Sequence, residues 1–163
     1  MVTTQTTHSF LRVELSGFAA SAYTATELMM QIAEKLNFSM LRYNWVGFYL
    51  IEKRPVGAGV LVLGPFAGTI NTYSEIPLGH GVCGSAATSG ETILVANAAT
   101  DPRYISRDES AKSELVVPIF VHGEVAGILD VNSHFAAAFD RDDRQLCEHA
   151  AELVGRYISS HSH

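Results

Sequence analysis

The chain has 163 residues, of which 47% are hydrophobic, and its formal net charge is −6. This length and apolar content predict one globular domain spanning residues 1–163, with an ordinary buried core. The acidic balance and the absence of a basic run argue against nucleic-acid binding. No apolar stretch reaches the roughly 20 residues of a membrane span, and the N-terminus does not resemble a signal peptide, so we expect a cytoplasmic protein that does not bind membranes.

The first third of the chain predicts a helix followed by an antiparallel hairpin. Apolar residues recur at helical spacing between Ala19 and Asn37, which predicts a helix with one buried face. The aromatic and β-branched run Trp45–Ile51 predicts a strand. Proline and glycine residues separate it from a second predicted strand at Val60–Leu63.

The middle of the chain predicts strands on both sides of a glycine-rich turn. These strands lie near Tyr73–Ile76 and at Glu91–Ala96, and a short helix is predicted at about Ser85–Thr88. The turn Gly79–Gly84 contains three glycines and Cys83. Glycines let the backbone turn sharply and approach a ligand, and a helix start favours a thiolate or a bound anion. The pattern therefore indicates a small-molecule site around this cysteine.

The last part of the chain completes the predicted sheet. The polar segment Asn97–Ser113 predicts a long surface loop of the kind that covers a site. Strands are predicted at Leu115–Val121 and Val125–Val131, and Pro118 indicates an edge or a bulge in the first of them. Asp140 is the predicted N-cap of a C-terminal helix. Helices at both ends and strands between them predict an α+β fold, a central antiparallel sheet with helices packed on it.

Five segments follow one another in the order of a known set of motifs: Asn44–Tyr49, Leu61–Phe66, Gly81–Gly84, Ser113–Pro118 and Gly127–Asp130. Together they resemble the free methionine-(R)-sulfoxide reductases, a single-domain branch of the GAF fold. The resemblance implies about six antiparallel strands, terminal helices on one face, a ligand pocket on the other and, in many members, a homodimer through those helices. It also implies reduction of free methionine sulfoxide by cysteines that thioredoxin-type proteins recharge.

The resemblance also implies a set of ligand-binding positions. Trp45 and Tyr49 match an aromatic wall of the family's pocket, and Glu114 and Asp130 match carboxylates that hold the substrate. The full set of predicted ligand-binding residues is Trp45, Tyr49, His80, Arg107, Glu114, Asp130 and Asn132.

Four positions depart from the family pattern. The nucleophilic cysteine corresponds to Arg107, and a further family cysteine corresponds to Tyr73. Asn132 replaces an aspartate, and His80 replaces an arginine. Of the family's three cysteines only Cys83 remains, at the position of an auxiliary one. Sulfoxide reduction needs a thiolate and an acid, and arginine is neither, so the sequence predicts that the pocket is kept and the reductase chemistry is lost.

Two functions remain open at the level of sequence. In the first, a non-catalytic domain binds a small polar or anionic metabolite, whose acidic group pairs with Arg107 and His80. In the alternative, Cys83 alone is the catalytic residue of a reductase, and an external thioredoxin-type reductant recharges it. A reactive thiol of low pKa favours the enzyme, and an inert thiol favours the binding domain.

Further expectations concern cofactors and signalling. The histidines are scattered, so no metal site is predicted, and no cofactor is expected. A signalling role of the kind that other GAF domains have would need a separate partner chain. The second cysteine, Cys147, is predicted to lie on the C-terminal helix and to face the protein core.

Overall fold

A computed structural model describes residues 4–70, 72–104 and 108–161 of the chain. This part forms four helices and one antiparallel six-stranded sheet of order β3-β2-β1-β6-β5-β4, which confirms the predicted α+β architecture. In chain order the elements are α1 (Thr4–Ser21), α2 (Ala25–Ser39), β1 (Trp45–Glu52), β2 (Val60–Gly68), β3 (Glu75–Pro77), α3 (Gly81–Ser89), β4 (Ile93–Val95), β5 (Ser113–Val121), β6 (Glu124–Ser133) and α4 (Arg141–His161).

The helix predicted at Ala19–Asn37 is in fact parts of two helices, α1 and α2. Thr24 is the N-cap of α2, because its hydroxyl oxygen accepts a hydrogen bond from the Glu27 amide at 3.0 Å. The Glu27 carboxylate in turn accepts a bond from the Tyr23 amide at 2.8 Å. These reciprocal bonds satisfy amides that would otherwise lack partners, and they fix where α2 begins.

Helix α1 was not predicted, because its apolar pattern is weak. His8, Leu11 and Leu15 are buried at helical spacing, whereas Phe10 and Val13 on the same helix are 67% and 74% exposed. Large apolar residues on both the buried and the exposed side reduce the contrast on which a periodicity argument depends.

The two faces of the sheet have different partners. Helices α2 and α4 cover one face, α1 packs on these two helices, and Leu129 and Val131 of β6 join the larger apolar core on this side. Helix α3 covers the opposite face with a second apolar cluster. Because successive side chains of a strand point to opposite faces, Asp130 and Asn132 lie on the α3 side. One strand therefore contributes to both the core and the candidate site.

Helix α3 begins at Gly81 rather than at Ser85, so Cys83 lies in its first turn and not in the turn that precedes it. Gly79 and Gly81 have φ values of +82° and +65°. Side chains with a Cβ disfavour this region, so glycine allows the sharp entry into α3. Strand β2 also extends to Gly68, beyond the predicted end at Leu63.

The prediction of an edge at Pro118 is confirmed. Strand β4 pairs only with Glu114–Val116 of β5, so Pro118 lies on the part of β5 that has no β4 partner. The register irregularity between β5 and β6 falls instead between Ile119 and Phe120. The described parts of the segment between β4 and β5 form the loop that the sequence predicts.

Asp140 caps α4, as predicted, and is bonded to Asp143, which belongs to a buried polar network. Its carboxylate accepts a bond from the Asp143 amide at 2.9 Å, and the Asp143 carboxylate accepts one from the Asp140 amide at 2.9 Å. Asp143 also bonds to His8 of α1 at 3.0 Å and to the Tyr43 hydroxyl at 2.6 Å. The network therefore ties the start of α4 to α1 and to the segment before β1. Among the described helices, none combines the length and apolar character of a membrane span.

Candidate functional site

Four side chains meet on the α3 side of the sheet and are called here the polar cluster: Cys83, Glu114, Asp130 and Asn132. Strand β6 supplies Asp130 and Asn132, and β5 places Glu114 directly opposite Asn132. Helix α3 brings Cys83 over the strands. Each of the four residues is at most 6% exposed.

Hydrogen bonds hold the polar cluster together. The Asn132 amide nitrogen donates to Asp130 Oδ1 at 3.0 Å and to Glu114 Oε2 at 3.3 Å. The Cys83 thiol donates to Glu114 Oε2 at 3.8 Å. Among the residues that the structure describes, no ion pair includes Glu114 or Asp130. No described lysine or arginine therefore balances the two carboxylates.

Burial changes the protonation of the cluster. It raises the pKa of Glu114 well above its usual value, and the nearby charge of Asp130 raises it further. Burial also raises the pKa of Asp130, but hydrogen bonds from Glu114, Cys83 and Asn132 oppose that shift. The pKa of Cys83 is raised well above its usual value by burial and then by the two carboxylates. Cys83 is therefore a protonated, weakly nucleophilic thiol at neutral pH.

Trp45 forms an aromatic wall beside the cluster. A Cβ on Gly47 would overlap Cη2 of the indole and lie 2.7 Å from Cζ2, so the ring occupies the space where residue 47 has no side chain. The β6 partner of Gly47 is Asp130. The ring also stacks on Phe66 with a centroid distance of 5.7 Å. The indole N–H is buried and has no acceptor among the described residues.

The Tyr49 hydroxyl is bonded to the segment before β3. It donates to the Tyr73 carbonyl at 2.8 Å and lies 2.8 Å from the Thr72 hydroxyl oxygen. Burial, and then the charge of Asp130, raise the pKa of Tyr49. The half-buried Tyr73, which stands where the family resemblance places a cysteine, packs against the apolar residues around the site.

The structure brings together most of the predicted site residues: Trp45, Tyr49, Cys83, Glu114, Asp130 and Asn132. Their ligand-binding roles stay predictions. His80 is the exposed residue before α3, and its side chain forms no capping bond. Arg107 lies outside the described residues. The sequence interpretation missed Gly47, although its position midway between Trp45 and Tyr49 places it on the same strand face.

Cys147 lies on the other side of the sheet, within the larger core, as predicted. Its thiol is 4.0 Å from the Tyr43 hydroxyl, and burial raises its pKa to about 12. Both cysteines of the chain are free. Because they lie on opposite faces of the sheet, Cys147 cannot form a disulfide with Cys83 in the native fold.

An open groove of about 930 Å³ lies elsewhere, between the end of β5 and α4. Its charged side chains are largely paired with one another, Arg144 with Glu148 and Arg156 with Glu152. It contains no group of nucleophilic or metal-binding side chains comparable to the polar cluster, so the cluster is the candidate site among the described residues.

Comparison with known proteins identifies relatives that share this fold. Residues 24–158 match the GAF domain model. The chain is 36% identical to Protein YtsP of Bacillus subtilis over 135 residues, which is 79% of this chain and 80% of that protein. It is 35% identical to the free methionine-R-sulfoxide reductase of Escherichia coli over 129 residues, covering 75% of this chain and 74% of the relative.

Solved structures agree with the sequence relatives. The free methionine-R-sulfoxide reductase from Neisseria meningitidis, solved in complex with its substrate, superposes with a TM-score of 0.87 at 29% identity, covering 96% of this chain and 92% of that chain. The reduced Staphylococcus aureus protein gives 0.83 at 30% identity, covering 93% and 94%. The chain thus belongs to the GAF domain family and is related to the free methionine-R-sulfoxide reductases.

Proposed function

We propose that the chain is a small-molecule-binding GAF domain without thiol-dependent sulfoxide reductase activity. The observation that carries this proposal is the buried pair Glu114 and Asp130, for which no described residue supplies a positive charge. Buried carboxylates need protons or a cationic partner. A ligand with a protonated amino group would supply that partner.

The neighbouring side chains favour a ligand that also carries acceptor atoms. The unpaired indole N–H of Trp45 is a donor that an oxygen of the ligand would satisfy. The predicted partners for an acidic group are Arg107 and His80. Together these groups fit a small polar metabolite with one amino and one acidic group, such as a free amino acid.

The loss of catalysis rests on the thiols. Reduction of a sulfoxide to a sulfide takes two electrons, which two thiols supply by forming a disulfide with release of water. The pKa of Cys83 is raised, which disfavours its thiolate, and Cys147 lies on the opposite face. With Arg107 at the position that the resemblance assigns to the nucleophile, the site has one thiol of low reactivity.

The alternative is a free methionine-(R)-sulfoxide reductase that uses Cys83 alone. One observation favours it, because the thiol lies 3.8 Å from Glu114, whose raised pKa suits an acid that protonates the departing oxygen. In this case the sulfoxide oxygen passes to the cysteine as a sulfenic acid, and a thioredoxin-type protein reduces that acid by two thiols with release of water.

Steady-state assays separate the two functions. We expect no turnover of free methionine-(R)-sulfoxide above the buffer rate with dithiothreitol or thioredoxin as reductant. Turnover of roughly one per second, within the ordinary range of enzymes, that disappears in Cys83→Ser would overturn the proposal and support the reductase. The variant Arg107→Cys tests whether a second thiol at this position creates activity.

Calorimetry with a panel of free amino acids, in buffer that contains a chelator, tests the binding function. Asp130→Asn should weaken binding of an amine-bearing ligand by roughly tenfold or more, because a charge-assisted hydrogen bond contributes about 1.5–3 kcal/mol. Asp142→Asn, at an exposed position of α4, is the matched control and should leave the affinity unchanged. Equal affinities of the wild-type protein and Asp130→Asn would contradict the proposed site.

The homodimer and the cytoplasmic location stay predictions. Exposed Phe10 and Val13 on α1 support association through the terminal helices. Two free cysteines support a reducing compartment. Light scattering of the wild-type protein and of Phe10→Ser tests the dimer, which should dissociate more readily in the variant. A signalling role would require a partner chain that responds to the ligand.

A further inference from the structure

The polar cluster has the composition and spacing of a metal site, although the sequence predicted none. Ligand atoms of Cys83, Glu114 and Asp130 all lie within 4.8 Å of one another, and the three residues are buried. Sulfur and oxygen ligands around a tetrahedral zinc ion are separated by roughly 3.3–3.5 Å, given the usual bond lengths. The observed distance of 3.8 Å from Cys83 Sγ to Glu114 Oε2 is close to this geometry.

We propose that Cys83, Glu114 and Asp130 bind a divalent cation with affinity for sulfur, Zn²⁺ in particular. A cysteine ligand disfavours Mg²⁺ and Ca²⁺, which prefer oxygen, and favours zinc. With a cation in place of the protons, a half-turn of the Asn132 amide would replace its two donated bonds to the carboxylates by an oxygen directed toward the cation. The cation replaces the protons of the cluster and balances its carboxylates, so no lysine or arginine is needed there.

The buried Trp45 is the independent observation that the site takes an occupant. Its indole N–H is buried and has no acceptor among the described residues, and the side chain lies in the same apolar cluster as Cys83. The ring lies over Gly47, whose strand partner is the proposed ligand Asp130. Catalytic zinc sites keep one position for water or another oxygen ligand. Such an oxygen would be an acceptor for this N–H, which the described residues do not supply.

The metal site uses the carboxylates of the proposed amino-acid site but does not depend on which organic ligand binds. The two proposals are tested separately, because the calorimetry of organic ligands is carried out with a chelator present. If the protein binds no metal, the calorimetric result for organic ligands still stands. If it binds no organic ligand, the result of the cobalt titration still stands.

Cobalt is the probe of the metal site, because Co²⁺ takes zinc geometries and reports a thiolate ligand by its near-ultraviolet charge-transfer absorption. Reduced, metal-free protein is titrated with Co²⁺ in the absence of oxygen. We expect one cobalt ion per chain with a thiolate band, and Zn²⁺ should abolish the band because it binds N/O/S sites more tightly than Co²⁺. Absence of the band in the wild-type protein overturns the proposal.

Matched variants assign the sulfur and the oxygen ligands. Cys83→Ser should lose the band, whereas Cys147→Ala, on the other face of the sheet, should keep it. Asp130→Asn retains the thiol and should weaken cobalt binding at least tenfold. Retention of the band in Cys83→Ser, its loss in a folded Cys147→Ala, or unchanged affinity in Asp130→Asn would each overturn the assignment. Cobalt bound only at nitrogen or oxygen ligands elsewhere gives no thiolate band and counts against the site.

Discussion

The missing side chain at Gly47 determines where the indole of Trp45 lies. Because the ring occupies the space over this glycine, it packs against Phe66 and stays beside the strand that carries Asp130. Trp45 is also the chain's single tryptophan, so intrinsic fluorescence reports directly on the candidate site.

Gly47→Ala should displace the Trp45 indole. The added methyl would overlap the ring, and overpacking of this kind costs about 1–3 kcal/mol of stability. We expect a lower free energy of unfolding in urea and altered Trp45 emission. Gly17→Ala is the control, since a Cβ at that helical position has no neighbour within 4 Å, and it should stabilise by up to about 1 kcal/mol. Unchanged emission in Gly47→Ala would contradict the described packing.

Both thiols should react slowly in the native state. Burial raises the pKa of Cys83 and of Cys147, so little thiolate is present at neutral pH and access is restricted. Titration with a chromogenic disulfide should label both cysteines rapidly in urea and neither on the same time scale in the folded protein. Rapid labelling that Cys83→Ser removes would favour the reductase alternative.

At the scale of elements, α4 is held at its first turn by more than its own cap. Asp143 accepts bonds from the Asp140 amide and the Tyr43 hydroxyl and pairs with His8, and these partners belong to three separate segments. A single carboxylate therefore couples the start of α4 to the position of α1.

Asp143→Ala should destabilise the fold by about 2–4 kcal/mol, because it removes a capping interaction and leaves buried polar groups without a partner. Asp142→Ala, at an exposed position of the same turn, should cost less than about 1 kcal/mol. Chemical unfolding of both variants gives the comparison. An equal decrease in the free energy of unfolding in Asp143→Ala and Asp142→Ala would mean that the buried network adds no stability beyond helix-dipole effects.

The sequence predicted the strands of the central sheet more accurately than the helices around it. Aromatic and β-branched composition located β1, and an apolar run after a glycine turn located β6, because these signals are local. Helix α1 depends on burial against α4, which the residues of α1 alone do not encode. The cluster of Glu114, Asp130 and Asn132 was predicted from a family resemblance, whereas the indole packing over Gly47 required the three-dimensional structure.

At the scale of the whole molecule, α1 lies outside the segment that matches the GAF domain model and packs on α4, most of which lies within that segment. His149 of α4 lies at this junction, where its Nε2 is 3.1 Å from the Ser16 hydroxyl. Burial, and then the charge of Arg12, lower the pKa of His149. The charge of Glu152 opposes this shift, and the charge of Arg156 adds to it.

Acidification should weaken this junction. The pKa of His149 is lower in the folded chain than in the unfolded chain, so its contribution is fully present above the unfolded value and is lost as the pH falls through the folded value. Urea unfolding is measured at about pH 7.5 and about pH 5. The decrease in the free energy of unfolding between these two pH values should be smaller for His149→Gln than for the wild-type protein. Identical pH profiles for His149→Gln and the wild-type protein would contradict this role.

Side chains of β6 point alternately to the core and to the candidate site. An insertion or deletion in this strand would therefore disrupt both at once. Inserting one residue before Leu129 would shift the pairing of this strand and turn Asp130 and Asn132 toward the helices, while Leu129 and Val131 would turn toward Cys83. Substitutions can therefore change ligand preference one side chain at a time, whereas changes in the length of this strand would abolish folding and binding together. We expect variation in length to be better tolerated in the described parts of the loop between β4 and β5, which carry no strand register.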